Sequence, residues 1–240
     1  FKDPFKVSLH ESSRYLIKSL ELANELANGK QVKGIINCPI DKKLLRKTNK
    51  IGVTEYFASM CNIRDKSEIM MIYNKSFSVV PITTHINVKD VSKIISKKFI
   101  IRKILSLDKN FKKLFKIKPK IGILGLNPHN AEFKKDSEEV KMIIPAVSNL
   151  KKRGINIQGP IVSDTSFITN YKKFNVLVGM YHDQVLTPFK TLFKFNAINI
   201  TLGLPYIRVS PDHGPASNLI GKNKGNFQSL LECVKFINKK

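Results

Sequence analysis

Three of the five histidines follow apolar runs that read as buried strands. His85 comes after Ser78-Val-Val-Pro-Ile-Thr-Thr84, His129 after Ile121-Gly-Ile-Leu-Gly-Leu-Asn-Pro128, and His182 after Asn175-Val-Leu-Val-Gly-Met-Tyr181. Open α/β sheets build their sites in the crevice beyond the carboxyl ends of the strands. Imidazoles delivered there from separate strands can hold a divalent ion and leave positions open for substrate. Each histidine alone fits a turn residue satisfied by a backbone carbonyl; the threefold repeat of one placement favours a site. Other groups with chemistry cluster around them. Asp183 and Gln184 follow His182 directly, and Lys190, Asn199 and Arg208 lie downstream. A guanidinium offers a rigid fork for carboxylate or phosphate, and an ammonium a compact point charge.

The elements that must carry these groups alternate between helix and strand. Ser8 and Glu11 have capping-box spacing and Gly29 follows Asn28, which predicts a helix over 9–28. Short strands are expected at 32–37, 120–126, 155–158, 175–180, 197–201 and 206–209, and a hairpin at 68–83. Helices are expected at 41–48, 54–62, 137–152 and 166–171, and a last one at 227–238. A long amphipathic stretch over 88–115 should break near Ser106-Leu107-Asp108. This order predicts an α/β fold with a mostly parallel sheet. No Gly-x-Gly-x-x-Gly follows a strand and no phosphate-binding P-loop is present, so a Rossmann fold is not expected.

The bulk composition is that of an ordinary globular domain, with 42% hydrophobic and 25% charged residues. The net charge of +24 invites a nucleic-acid reading. Only six of the 42 basic residues are arginine, however, and the lysines are scattered as doublets. Base-edge readers favour arginine, and single-strand binders interleave exposed aromatics with their cations. A solvated lysine surface is expected, with no nucleic-acid partner. No apolar run reaches membrane-spanning length, so no membrane partner is expected. Cys38, Cys61 and Cys233 are odd in number and far apart, which predicts a reducing, cytoplasmic setting. The start lacks a signal-peptide core and an initiator Met, as in a fragment or a processed form.

The segments Thr83-Thr-His-Ile-Asn-Val-Lys-Asp-Val91, Gly125-Leu-Asn-Pro-His129, Gly159-Pro-Ile-Val-Ser-Asp-Thr165, Met180-Tyr-His-Asp-Gln184, Asn199-Ile-Thr-Leu-Gly-Leu-Pro205 and Asp212-His-Gly214 resemble the 4-hydroxythreonine-4-phosphate dehydrogenase family of pyridoxal phosphate biosynthesis. They occur in that family's order over nearly the whole chain. The resemblance implies an α/β fold like isocitrate and isopropylmalate dehydrogenases, with two subdomains flanking a cleft. Residues 1–50 plus 203–240 would form the first and 51–202 the second, the latter with the metal site and dimer interface. It implies a homodimer whose site is shared between subunits. His85, His129 and His182 would bind a divalent metal, zinc or else magnesium, cobalt or manganese. Thr54, Lys190, Asn199 and Arg208 would contact a small phosphorylated substrate, with Lys190 also catalytic. NAD would bind without a Rossmann motif. Asp164 or Asp183 would accept a proton or orient a histidine, and the sequence does not choose between them. The implied reaction is NAD- and metal-dependent oxidation and decarboxylation of 4-phosphooxy-L-threonine to 3-amino-2-oxopropyl phosphate.

The chain departs from the family pattern at four places. The N-terminal strand and glycine-rich segment of the family have no counterpart. The family's Gly-His-Thr-Glu is Gly52-Val53-Thr54-Glu55 here, and its Pro-Val-His-Lys is Pro39-Ile-Asp-Lys42. The glycine-rich run after Asn-Pro-His is replaced by Glu132-Phe-Lys-Lys-Asp-Ser137. Two alternatives follow: the same chemistry on a phospho-threonate or phospho-erythronate, or a catalytically impaired polyanion-binding relative. Salt-sensitive nucleic-acid binding would mark the last, and chelator-sensitive NAD reduction the enzymes.

Overall fold

The computed structural model describes residues 3, 6–41, 43–45, 52–63 and 67–240, with 169 and 170 as backbone only. Helix α1 (Leu9–Asn28) opens on the expected capping box, with the Glu11 amide donating to Ser8 Oγ and the Glu11 carboxylate answering Ser8. Strand β1 (Gly34–Ile36) follows, then helix α2 (Val53–Met60). Of the helix expected at 41–48, residues 43–45 form a single 3-10 turn, while 42 and 46–48 lie outside the described residues. Strands β2 (Ile69–Asn74) and β3 (Phe77–Pro81) make the expected hairpin.

The amphipathic stretch breaks earlier than the sequence suggests. Helix α3 (Val91–Ile94) stops at Ile95, and helix α4 (Lys97–Phe115) runs unbroken through 106–108. Ser96, in extended conformation, accepts from the Phe99 amide and caps α4. The polar pair that looked like a breaker is instead used laterally: Ser106 donates to the Ser67 carbonyl, Asp108 pairs with Lys112, and Leu107 between them is fully buried.

Then come β4 (Ile121–Leu124), α5 (Ile144–Lys152), β5 (Ile157–Ile161), α6 (Ser163–Thr165) and β6 (Val176–Gly179). A π-helical turn over Glu139–Ile143 leads into α5, so that Pro145 falls in the first turn of α5, where its missing amide costs little. The chain closes with α7 (His182–Phe193), β7 (Ile198–Leu202), β8 (Ile207–Pro211) and α8 (Gln228–Asn238). The sequence did not announce α7, because Pro188 sits inside it. Burial of Val185, Leu186 and Phe189 against the sheet offsets that proline. Gly179 lets this helix close in: a Cβ there would lie 2.6 Å from Val185 Cγ1.

All eight strands form one sheet in the order β1-β8-β7-β2-β3-β6-β4-β5. It is mixed rather than mostly parallel: the tight β2–β3 and β7–β8 connections impose antiparallel pairing, as does β2 against β7. Strands β3, β6, β4 and β5 run parallel. One face of the sheet packs on α4, α5 and α8. The other packs on α7 toward β6, while α1 and α2 form a separate group with Leu204 and Tyr206. The fold is α/β and non-Rossmann. The sheet is continuous across residue 203, where the expected subdomain boundary falls.

Candidate active site

On the face shared by α2 and α7, the alternation of strand side chains brings one row into register. Met70 and Ile72 of β2 stand opposite Thr201 and Asn199 of β7, which stand opposite Arg208 and Ser210 of β8. These rows form the floor of a cleft of about 550 Å³, with Thr54 and Glu55 of α2 on one wall and His182 and Lys190 of α7 on the other. His85, Asp212 and His213 close it from the loops after β3 and β8.

Arg208 is 2% exposed. Its Nε donates to Asn37 Oδ1 at 2.6 Å, and its Nη1 to Thr201 Oγ1 at 2.8 Å and Thr54 Oγ1 at 3.3 Å. The guanidinium also lies 5.8 Å from the Phe57 ring centre. Burial pushes its pKa down to about 10, still far above neutrality, so the cleft floor carries a fixed positive charge. Nη2 makes no hydrogen bond to a described residue. It is the donor left over for an anion. Lys190 Nζ, on α7, lies 3.2 Å from Asp212 Oδ1 and donates to the Asp212 carbonyl at 3.1 Å. The buried Asn199 Oδ1 has no hydrogen-bond partner among the described residues, which leaves an acceptor for a hydroxyl or amino group.

All three histidines sit past the carboxyl ends of adjacent strands, in the order β3, β6, β4. The structure brings two of them together: the rings of His85 and His182 are 6.0 Å apart. His182 Nδ1 is 2.7 Å from Asp183 Oδ1, and His85 Nδ1 is 3.6 Å from Glu55 Oε1. A carboxylate on Nδ1 fixes the tautomer and leaves Nε2 free for an ion. Among the described residues no group of three ligands forms within one chain. His129 does not line the cleft. Asp183 therefore stands beside a site histidine, whereas Asp164 lies within α6 and accepts from the Thr165 amide at 2.7 Å, outside the cleft.

The turn that presents His129 is unusual. Residues 129–133 all hold positive φ, between 49° and 56°. For side-chain-bearing residues this costs about 1–2 kcal/mol each, so the turn needs an anchor. Glu139, fully buried, supplies one: it accepts from the amides of Leu126 and Asn127 at 2.7 and 2.8 Å, and from Asn127 Nδ2 at 3.0 Å. Burial pushes this carboxyl up, but the bonds from Asn127 and Leu126 outweigh it and hold the pKa below the usual carboxylate range.

The family model for the pyridoxal phosphate biosynthetic protein PdxA matches residues 4–237. The chain belongs to this family. It is 42% identical over 209 residues to the 4-hydroxythreonine-4-phosphate dehydrogenase of Aquifex aeolicus, covering 86% of this chain and 64% of that protein. It is 40% identical to the protein of the same name from Sulfurihydrogenibium, covering 96% and 72%. The chain thus spans about two thirds of the length of these curated relatives. Among solved structures, the 4-hydroxythreonine-4-phosphate dehydrogenase of Klebsiella pneumoniae superposes with a TM-score of 0.79 at 29% identity, over 92% of this chain and 67% of that one. An isocitrate dehydrogenase from Methylococcus capsulatus shares the fold at a TM-score of 0.50 and 11% identity, over 88% and 68%. The expected isocitrate-dehydrogenase-like α/β architecture is therefore the one the chain adopts. No helix among the described residues is long and apolar enough to cross a membrane.

Sequence reasoning assigned no site role to Asn37, Glu55, Thr201 and Asp212. Thr201 and Asp212 lie inside motifs that carried the resemblance, but only their cross-strand and loop contacts show what they touch. Glu55 stands in the Gly52-Val53-Thr54-Glu55 segment, whereas Asn37 gave no signal before β1 was placed.

Proposed function

We propose that this chain belongs to an NAD-dependent enzyme that oxidises and decarboxylates 4-phosphooxy-L-threonine to 3-amino-2-oxopropyl phosphate. The observation that carries the reading is the pairing of two imidazoles with a buried arginine in one cleft. Arg208 and Lys190 bind the carboxylate and phosphate of the substrate, and their separation along the cleft orients the carbon between them. Thr54 and Asn199 take up its polar groups. His85 and His182 would hold a divalent ion, zinc or else magnesium, cobalt or manganese, and the carboxylates on their Nδ1 sides suit that role. Such an ion supplies Lewis acidity to the reacting oxygen, while NAD accepts the hydride.

In this reading the third imidazole is His129 of a second copy, in a homodimer with a shared site. The turn holding His129 packs against α6, so Asp164 would arrive with it. Asp183, bonded to His182, orients that ring; Asp164 is then the residue placed to accept a proton. The test is an NADH-absorbance assay with 4-phosphooxy-L-threonine, before and after chelation. Turnover that chelator abolishes and added metal restores is expected. Turnover indifferent to chelation would overturn the metal assignment, and its complete absence in metal-loaded protein the substrate assignment.

Val53 favours a second reading. It stands where the family carries a histidine, and a valine cannot donate a hydrogen bond to substrate. A phospho-threonate or phospho-erythronate, turned over by the same chemistry, would then be preferred. Comparing kcat/KM for the three substrates in the same assay decides between them.

A further inference from the structure

Asp212 lines the cleft, yet no role in the proposed reaction requires it so far. Its carboxylate is 10% exposed, with Oδ1 on Lys190 and Oδ2 buried without a hydrogen-bond partner among the described residues. Its backbone is tied on both sides. The Asp212 amide donates to Ser229 Oγ at 2.9 Å, and the Ser229 hydroxyl, itself buried in α8, donates to the Ala197 carbonyl. The Asp212 carbonyl accepts from Lys190 Nζ. Burial pushes the carboxyl up from the usual range, with Lys190 and the nearby His182 and His213 pulling the other way. The lysine side chain, by contrast, is 43% exposed and springs from the last turn of α7. A flexible four-carbon stem in that setting has many rotamers open to it.

We propose that Asp212 is a positioning residue: anchored through Ser229 to α8 and to Ala197, just before β7, it holds the Lys190 ammonium over the cleft where the substrate's anionic end is received. This rests on the reading of Lys190 given above. The ion pair joins two elements that are separate in sequence, α7 and the loop after β8. It selects one lysine among 36 as the fixed cation. Lys194, four residues on and exposed, makes no ion pair among the described residues.

The test uses two variants and two readouts. Asp212→Ala removes the acceptor and the charge; Asp212→Asn keeps an oxygen for Nζ. In steady-state kinetics on metal-loaded protein, Asp212→Ala is expected to raise KM for the phosphorylated substrate about tenfold, the loss of one charge-assisted contact. KM for NAD should stay within about twofold, and Asp212→Asn should recover part of the loss. Independently of substrate, acetylation with an acylating reagent, read by mass spectrometry, should label Lys190 several-fold faster in Asp212→Ala than in the parent, with Lys194 unchanged. Unchanged Lys190 labelling in a folded variant overturns the proposal. So does an equal rise in both Michaelis constants. Faster labelling in a protein without turnover would instead sustain the positioning role and reject the assigned reaction.

Discussion

Replacing Arg208 by methionine should separate binding from folding. The guanidinium is buried, and holding its pKa at about 10, below the ordinary arginine value, costs the fold about 3 kcal/mol at neutral pH, at about 1.36 kcal/mol per pKa unit. For a base with a lowered pKa, the folded state binds fewer protons than the unfolded one between those values. Stability therefore rises as pH climbs above about 10, and below 10 the full penalty applies. Against it stand the two short bonds to Asn37 and Thr201, about 1.5 kcal/mol each for a charged donor. The sums nearly cancel. Methionine fills a similar volume, and the partners keep other contacts: Thr201 with Thr54 at 3.4 Å, and Asn37 with the Cys38 carbonyl. The Tm of Arg208→Met should thus fall within about 5 °C of the parent. Substrate binding has no such compensation. Loss of the Nη2 donor should raise KM for the phosphorylated substrate roughly 10- to 100-fold, with KM for NAD nearly unchanged. Calorimetry and initial rates read the two effects. A drop in Tm of more than about 10 °C, or matching rises in both Michaelis constants, would refute the reasoning.

Three further outcomes are expected. His182→Ala should lose the metal, measured by elemental analysis, and turnover with it, while circular dichroism stays that of the parent; tight metal retention would count against the ligand assignment. Glu139→Gln replaces an acceptor of three bonds by a group carrying its own donors, and should lower stability by about 3 kcal/mol in denaturant titration. Because the Glu139 pKa is lowered, its contribution is complete above the ordinary value of 4.5 and is lost as pH falls below it, so the variant's acid-unfolding curve should flatten there. Ser96→Ala should cost about 1 kcal/mol through loss of the α4 cap, whereas Ser106→Pro, inside the unbroken helix, should cost about 3 kcal/mol or more by the same measurement.

The local signals were legible from residues alone. The capping box of α1, the hairpin at β2–β3 and the strand-end placement of the histidines depend on neighbours a few residues away, and the structure reproduces each. The reading that took a polar stretch as a helix breaker failed, and the segment holding Pro188 was not assigned to a helix. Ser106-Leu107-Asp108 and Pro188 lie within helices, because lateral bonds and core burial outweigh local preference.

Sequence by itself determined the family, the α/β class and the kinds of side chain available for chemistry, since these are written in residue type and order. Which of those side chains meet was decided by the tertiary structure alone. Register between β2, β7 and β8 lines up Asn199, Thr201 and Arg208, and chain packing joins Asn37 to Arg208 across 171 positions and Lys190 to Asp212. The same packing sets His85 beside His182 and leaves His129 on a neighbouring turn. Such contacts arise from strand order and helix placement, which are properties of the whole chain's buried surface and of no single motif.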